Sequence, residues 1–140
     1  FAFGEYGWFA NNRDGGLDVF RLIFLPCEGA LGVRDYSAPL ATEAIAAQRW
    51  FESVHEIAVE REAAAALRAR LDERYRSGMV RPVIYNPVVD LWFVRDNRVY
   101  WFGYNCNHAV SEWLDALGCD IRGPRAFASY EIRRENTAAP

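Results

Sequence analysis

The stretch Tyr104–Leu117, YNCNHAVSEWLDAL, places small or apolar residues at 106, 109, 110, 113, 114 and 117. Those positions fall at i, i+3, i+4, i+7, i+8 and i+11, the spacing that lines one face of an α-helix. Gly118 follows as a stop, and Asn105 stands where an N-cap belongs. The pattern predicts a helix over Cys106–Leu117, with Cys106 heading the buried stripe from the first turn. Such a helix must lay that stripe on another layer. A second helix is expected over Glu60–Arg76, from its Ala63–Ala66 run, the Leu67, Leu71 and Tyr75 stripe, and Gly78 just past the end. Its alternating charges suit a solvated face with i,i+4 support.

The layer beneath reads as extended chain. Phe1–Ala2–Phe3 has the character of the inside of a strand, and Ser53–Val59 alternates as a strand does. Val88–Val94 and Val99–Phe102 flank the polar tetrad Arg95–Asp96–Asn97–Arg98, the pattern of a hairpin with a four-residue turn. Gly29–Tyr36 reads as a turn followed by a short extended piece. Leu17–Leu25 suits a short buried helix ended by Pro26, and Pro39–Trp50 a helix capped by Ser37. Asn11–Gly16 and the surroundings of Pro82 and Pro87 read as loops, and Arg133–Pro140 as a polar, frayed tail. The expected class is α+β: a small antiparallel sheet packed against helices, forming one domain over 1–132 with a tail at 133–140.

Composition limits what such a domain can do. With 140 residues, 51% of them hydrophobic and 25% charged, the chain is globular and neither disordered nor fibrous. Its formal net charge is −3, so no basic face is expected and nucleic acid is not an expected partner. All 16 basic residues are Arg, a usage that suits a GC-rich bacterial coding sequence. No apolar run approaches the roughly 18 residues of a membrane span. Of the three cysteines, Cys27, Cys106 and Cys119, at least one must keep its thiol. Cys27 and Cys119 are read either as a bridge or as two small buried side chains.

Cys106 is the chemical candidate. In a first helical turn its thiol meets unsatisfied backbone N–H groups and the positive end of the helix dipole, which favour the thiolate. The same N–H groups, near Asn105 and Cys106, suit an oxyanion. Against this stands a cysteine that merely packs. His108 lies two positions on, roughly 200° around a helix, so its side chain diverges from the thiol. A supporting or packing contact at the helix start is its expected place, with a fallback base as the alternative. His55, on the expected strand beside Ile57 and Val59, is read the same way. Cys106-x-His108 with Cys27, Cys119 and His55 has the wrong spacing for zinc, and no metal or cofactor is expected. Tyr6, Trp8, Trp101 and Tyr104 bracket the cysteine turn and suit an apolar cleft, or simply a core.

Asn105–Cys106–Asn107–His108–Ala109–Val110 resembles the NC-x-H-[FA] signature at the nucleophile helix of circularly permuted, papain-like (NlpC-type) thiol enzymes. These include lecithin:retinol acyltransferase relatives, PPPDE-type isopeptidases and bacterial NlpC-like envelope proteins. In that group a strand His, followed by a short Gly- and aromatic-rich strand, precedes the cysteine. Phe3–Gly4–Glu5–Tyr6–Gly7–Trp8–Phe9 looks like the second of those strands. The resemblance implies a cysteine hydrolase or acyltransferase, acting on an amide or ester bond of a small-molecule, lipid or peptide substrate through a thioacyl intermediate. Cys106 would be the nucleophile and Glu5 the group that orients the base. It also implies a cell-envelope location. The base His itself would lie upstream of Phe1, so the chain is expected to be N-terminally truncated and weakly active or inert. A binding or scaffold domain that keeps the fold without chemistry is the alternative.

Overall fold

A computed structural model describes residues 1–12, 15, 16, 20, 24–34, 45 and 54–133. Strands β1 (Ala2–Glu5), β2 (Cys27–Val33), β3 (Ile84–Asn86) and β4 (Leu91–Tyr100) form one antiparallel sheet in the order β1-β2-β4-β3. The helices are α1 (Arg61–Gly78), before β3, and α2 (Cys106–Ala116), after β4; a small hairpin of β5 (Asp120–Arg122) and β6 (Glu131–Arg133) follows α2. A π-helical turn, Tyr6–Ala10, follows β1. The class is α+β, a small antiparallel sheet with helices.

Register sorts the sheet into two faces, because neighbours along a strand point opposite ways while cross-strand partners share a face. Phe3, Leu31 and Val94 form one row; Gly4, Ala30 and Arg95 form the next, on the reverse side. On the first face Phe3 packs with Tyr100 and with Ala109 of α2. Arg74 of α1 lies over the Phe3 ring there, 5.4 Å from its centroid. On the second face the π-helical turn folds back, setting Tyr6 and Ala10 against Ala30 and Phe93. Gly78 is the last residue of α1 and not a stop beyond it. It sits so close to β4 that a Cβ would meet the Arg95 carbonyl oxygen at 2.6 Å and Val94 Cγ2 at 2.7 Å.

The expected hairpin over 88–102 is instead one ten-residue strand, β4. Gly29 opposes Asp96 while Glu28 opposes Val99, so Asn97 and Arg98 are surplus residues of a bulge. The polar tetrad looked like a turn because Asp96 is polar, yet that side chain is only 1% exposed. The Arg74 guanidinium binds both its carboxylate oxygens, at 2.5 and 2.7 Å, and the Arg98 backbone N–H donates to Oδ1 at 2.7 Å. The chain reverses earlier, over 87–90, where Asp90 takes a φ of +53° and Arg34 donates to the carbonyls of Val89 and Asp90.

Other expectations also change. Gly29–Val33 belongs to β2, the strand between β1 and β4, and the Pro82–Pro87 loop contains β3. Residues 54–60 are not a strand, and His55, Glu56 and Ala58 are exposed. The strand expected over Phe3–Phe9 stops at Glu5, whose side chain caps the π-helical turn. Phe20 and Phe24 are helical with rings 4.7 Å apart, but both are more than half exposed, unlike the buried helix expected there. The rest of that helix, the Pro39–Trp50 helix apart from helical Ile45, its Ser37 cap, and residues 134–140 lie outside the described residues. None of the helices described is long and apolar enough to cross a membrane.

Candidate active site

The last residue of β4, Tyr100, is followed by a tight turn in which Trp101 and Tyr104 exchange two backbone hydrogen bonds of 3.0 Å. Asn105 then caps α2. Its Oδ1 accepts from the N–H groups of Asn107 (3.0 Å) and His108 (3.3 Å), and His108 Nδ1 accepts from the Asn105 N–H at 3.3 Å. This reciprocal capping box leaves His108 bonded to its own helix start, its ring stacked on Tyr104 with centroids 6.0 Å apart. The amide groups of Asn105 and Asn107 both donate to the Ala126 carbonyl, at 3.0 and 3.3 Å. They tie the loop 123–130, between β5 and β6, to the first turn of α2.

Cys106 is the first residue of α2, half-buried and packed against the Phe3, Tyr100 and Ala109 cluster. Its thiol lies close enough to the Tyr100 hydroxyl for each to bear on the other's charge. Burial, then the charge and hydrogen bond of Cys106, push the Tyr100 hydroxyl well above the usual tyrosine pKa, and the Glu5 carboxylate adds to the effect. Burial and then the Cys106 charge also push up Tyr130, at the end of loop 123–130. The thiol therefore sits near two phenols with Glu5 in electrostatic range. The cap consumes most of the N–H donors: those of Asn105, Asn107 and His108 are within the box, and that of Ala109 serves the Asn105 carbonyl. Cys106 N–H takes no part in this box.

The remaining expected site residues scatter. Glu5 Oε2 accepts from Trp8 N–H at 2.5 Å, so its carboxylate serves the π-helical turn. Tyr6 is buried on the opposite face of the sheet, under the Arg95 guanidinium at 4.3 Å, and lines no cleft at Cys106. Trp8 is half-buried in the same turn. Tyr104 meets Phe3 edge-on at 5.6 Å, and its hydroxyl donates to Glu112 at 2.9 Å and accepts from Arg98. Trp101 is exposed beside it, and His55 is exposed in the 54–60 segment. Sequence reasoning passed over Tyr100, although it ends the strand that feeds the cysteine turn. It also passed over Phe102 and Phe127, whose rings meet edge to face at 6.4 Å.

No bridge joins Cys27 to Cys119. The Cys27 thiol donates to the Leu25 carbonyl at 3.3 Å, while burial, then Asp115, pushes the Cys119 thiol up. Among the described residues no three His, Cys, Asp or Glu side chains gather to hold a metal ion. A cavity of about 390 Å³ lies elsewhere, between the end of α1 and the β4 bulge, lined in part by Glu28, Gly78, Arg81, Arg95 and Arg98. Comparison with family models, curated proteins and solved structures gives no match for this chain.

Proposed function

We propose that the chain carries the nucleophile of a papain-like cysteine hydrolase or acyltransferase acting on an amide or ester bond. The observation that carries this reading is Cys106 at the first position of α2, half-buried and packed on the cluster that holds Tyr100. In this reading the Cys106 sulfur attacks the carbonyl carbon. Cys106 N–H and Tyr100 O–H then hold the oxygen that gains charge. Collapse of the adduct expels the alcohol or amine and leaves a thioacyl group on Cys106. Water or a second nucleophile then removes it. Glu5, within electrostatic range of Tyr100, is suited to orient a base. Neither described histidine serves as that base, because His108 is taken by the cap and His55 is exposed elsewhere. Cell-wall peptides or lipids of a bacterial envelope are the substrates the motif resemblance suggests.

The capping box also favours a second reading, a binding or scaffold domain that retains the fold, since a thiol without an adjacent base loses most of its activation. An activated ester separates the two. Treatment with p-nitrophenyl acetate should add one acetyl group to the Cys106 peptide, removable by hydroxylamine and absent in Cys106→Ser. A Cys106 that stays unmodified while other surface groups react would establish the scaffold reading.

A further inference from the structure

We propose that Phe102 and Phe127 form an apolar rim that selects the acyl group Cys106 accepts, favouring carbonyl compounds whose acyl part is itself apolar. The inference rests on Cys106 being the nucleophile. Phe102 and Phe127 are 54% and 55% exposed, and single exposed apolar residues are ordinary. These two, however, come from separate loops and meet at 6.4 Å with their planes at 70°. Both loops are anchored to the start of α2. Phe102 sits inside the turn closed by Trp101 and Tyr104, which runs directly into Asn105. Phe127 follows Ala126, whose carbonyl is held by the residues on either side of Cys106.

The surroundings suit an uncharged chain. The turn 101–104 contains no ionisable side chain other than Tyr104, and loop 123–130 carries a single cation, Arg125, which is paired with Asp115. Trp101, 47% exposed, extends the apolar surface. A carbonyl held at Cys106 thus has neighbouring aromatic area for its acyl part and no unpaired charge in these loops to attract a polar one. Each methylene placed against such surface is worth up to about fourfold in rate.

The test is the rate of Cys106 acylation by p-nitrophenyl acetate, hexanoate and N-acetyl-leucinate, read by mass spectrometry. In each case the sulfur–carbonyl bond forms, the ester C–O bond breaks and p-nitrophenol leaves with the thiol proton. The hexanoate-to-acetate ratio, normalised to the same ratio for free N-acetylcysteine, should be at least about tenfold. It should fall towards one in Phe102→Ala, Phe127→Ala and the milder Phe127→Leu. A preference for hexanoate alone points to a lipid-like acyl source, and an equal preference for the leucinate to a peptide-like one. A thiol that is acylated with no chain-length preference, or whose preference survives both alanine substitutions, overturns the rim while leaving the nucleophile intact. A thiol inert to all three esters overturns both.

Discussion

Two nearby sites on β4, the bulge and the last residue, treat their polar groups in opposite ways. At the bulge, both oxygens of the buried Asp96 carboxylate are taken by Arg74, with the Arg98 N–H as a third donor. At the last residue of the strand, Tyr100 is buried in the cluster against which Cys106 packs, and exposed aromatics stand on the loops beyond it. A buried ion pair costs desolvation that only such bidentate geometry offsets, so the bulge is a structural device. Tyr100 and Cys106 instead pack side by side in one cluster, with no charged partner of that kind among the described residues. In the proposed reading, an incoming carbonyl meets this pair.

The largest effect should come from breaking the structural end. Arg74→Ala leaves the Asp96 carboxylate buried with only a backbone donor and should cost about 3–5 kcal/mol in urea unfolding. A loss below about 1 kcal/mol would mean that water reaches Asp96 and that the bulge differs less from the Tyr100 site than its ion pair suggests. Asn105→Ala comes next. It removes two cap bonds and one tie to Ala126, and should lower stability by about 1–2 kcal/mol while speeding proteolysis within loop 123–130.

Tyr100→Phe sharpens the chemical end through pH. The folded chain holds the Tyr100 proton more tightly than the unfolded chain does. Stability is therefore unaffected below the ordinary tyrosine pKa of about 10 and falls as pH rises beyond it, where the unfolded state binds fewer protons. Urea midpoints between about pH 8 and pH 11 should drop less steeply in Tyr100→Phe. Part of the slope will remain, because burial raises Tyr75 and Tyr130 in the same direction. The smallest effect belongs to Glu112. Burial pushes its carboxyl up, but hydrogen bonds from Arg98 and Tyr104 outweigh that and leave its pKa below the usual value. The half-exposed pair contributes below about 1 kcal/mol, present at neutral pH and lost as pH falls through the lowered pKa. Glu112→Gln should show that small deficit at neutral pH and none in acid.

Helices were legible in the sequence where periodicity and caps agreed. The α2 stripe headed by Cys106 and the Leu67, Leu71 and Tyr75 face of α1 needed no tertiary information. The Asn105 cap was visible as well, but the return bond to His108 that completes the box was not. Strands were harder, because the features that define them lie across the chain. Asp96 reads as a turn residue until Arg74, 22 positions away, is known to meet it. Gly29–Tyr36 reads as a turn followed by a short extended piece until β1 and β4 are seen to flank Cys27–Val33. Tyr6 was read as lining an apolar cleft or as core, and the π-helical turn carries it into the core on the other face of the sheet. Phe102 and Phe127 are 25 residues apart, and only the Ala126 clasp brings their loops to the same helix start.

Competitive alkylation of the folded chain with limiting iodoacetamide at neutral pH, quantified peptide by peptide, addresses the central claim most directly. A nucleophilic Cys106 at the start of α2 should be labelled roughly tenfold faster than Cys119, whose thiol burial and Asp115 hold in the neutral form. Its lead should vanish in urea. Equal or slower labelling of Cys106 in the folded chain would contradict the claim and leave it a packing residue beneath Tyr100.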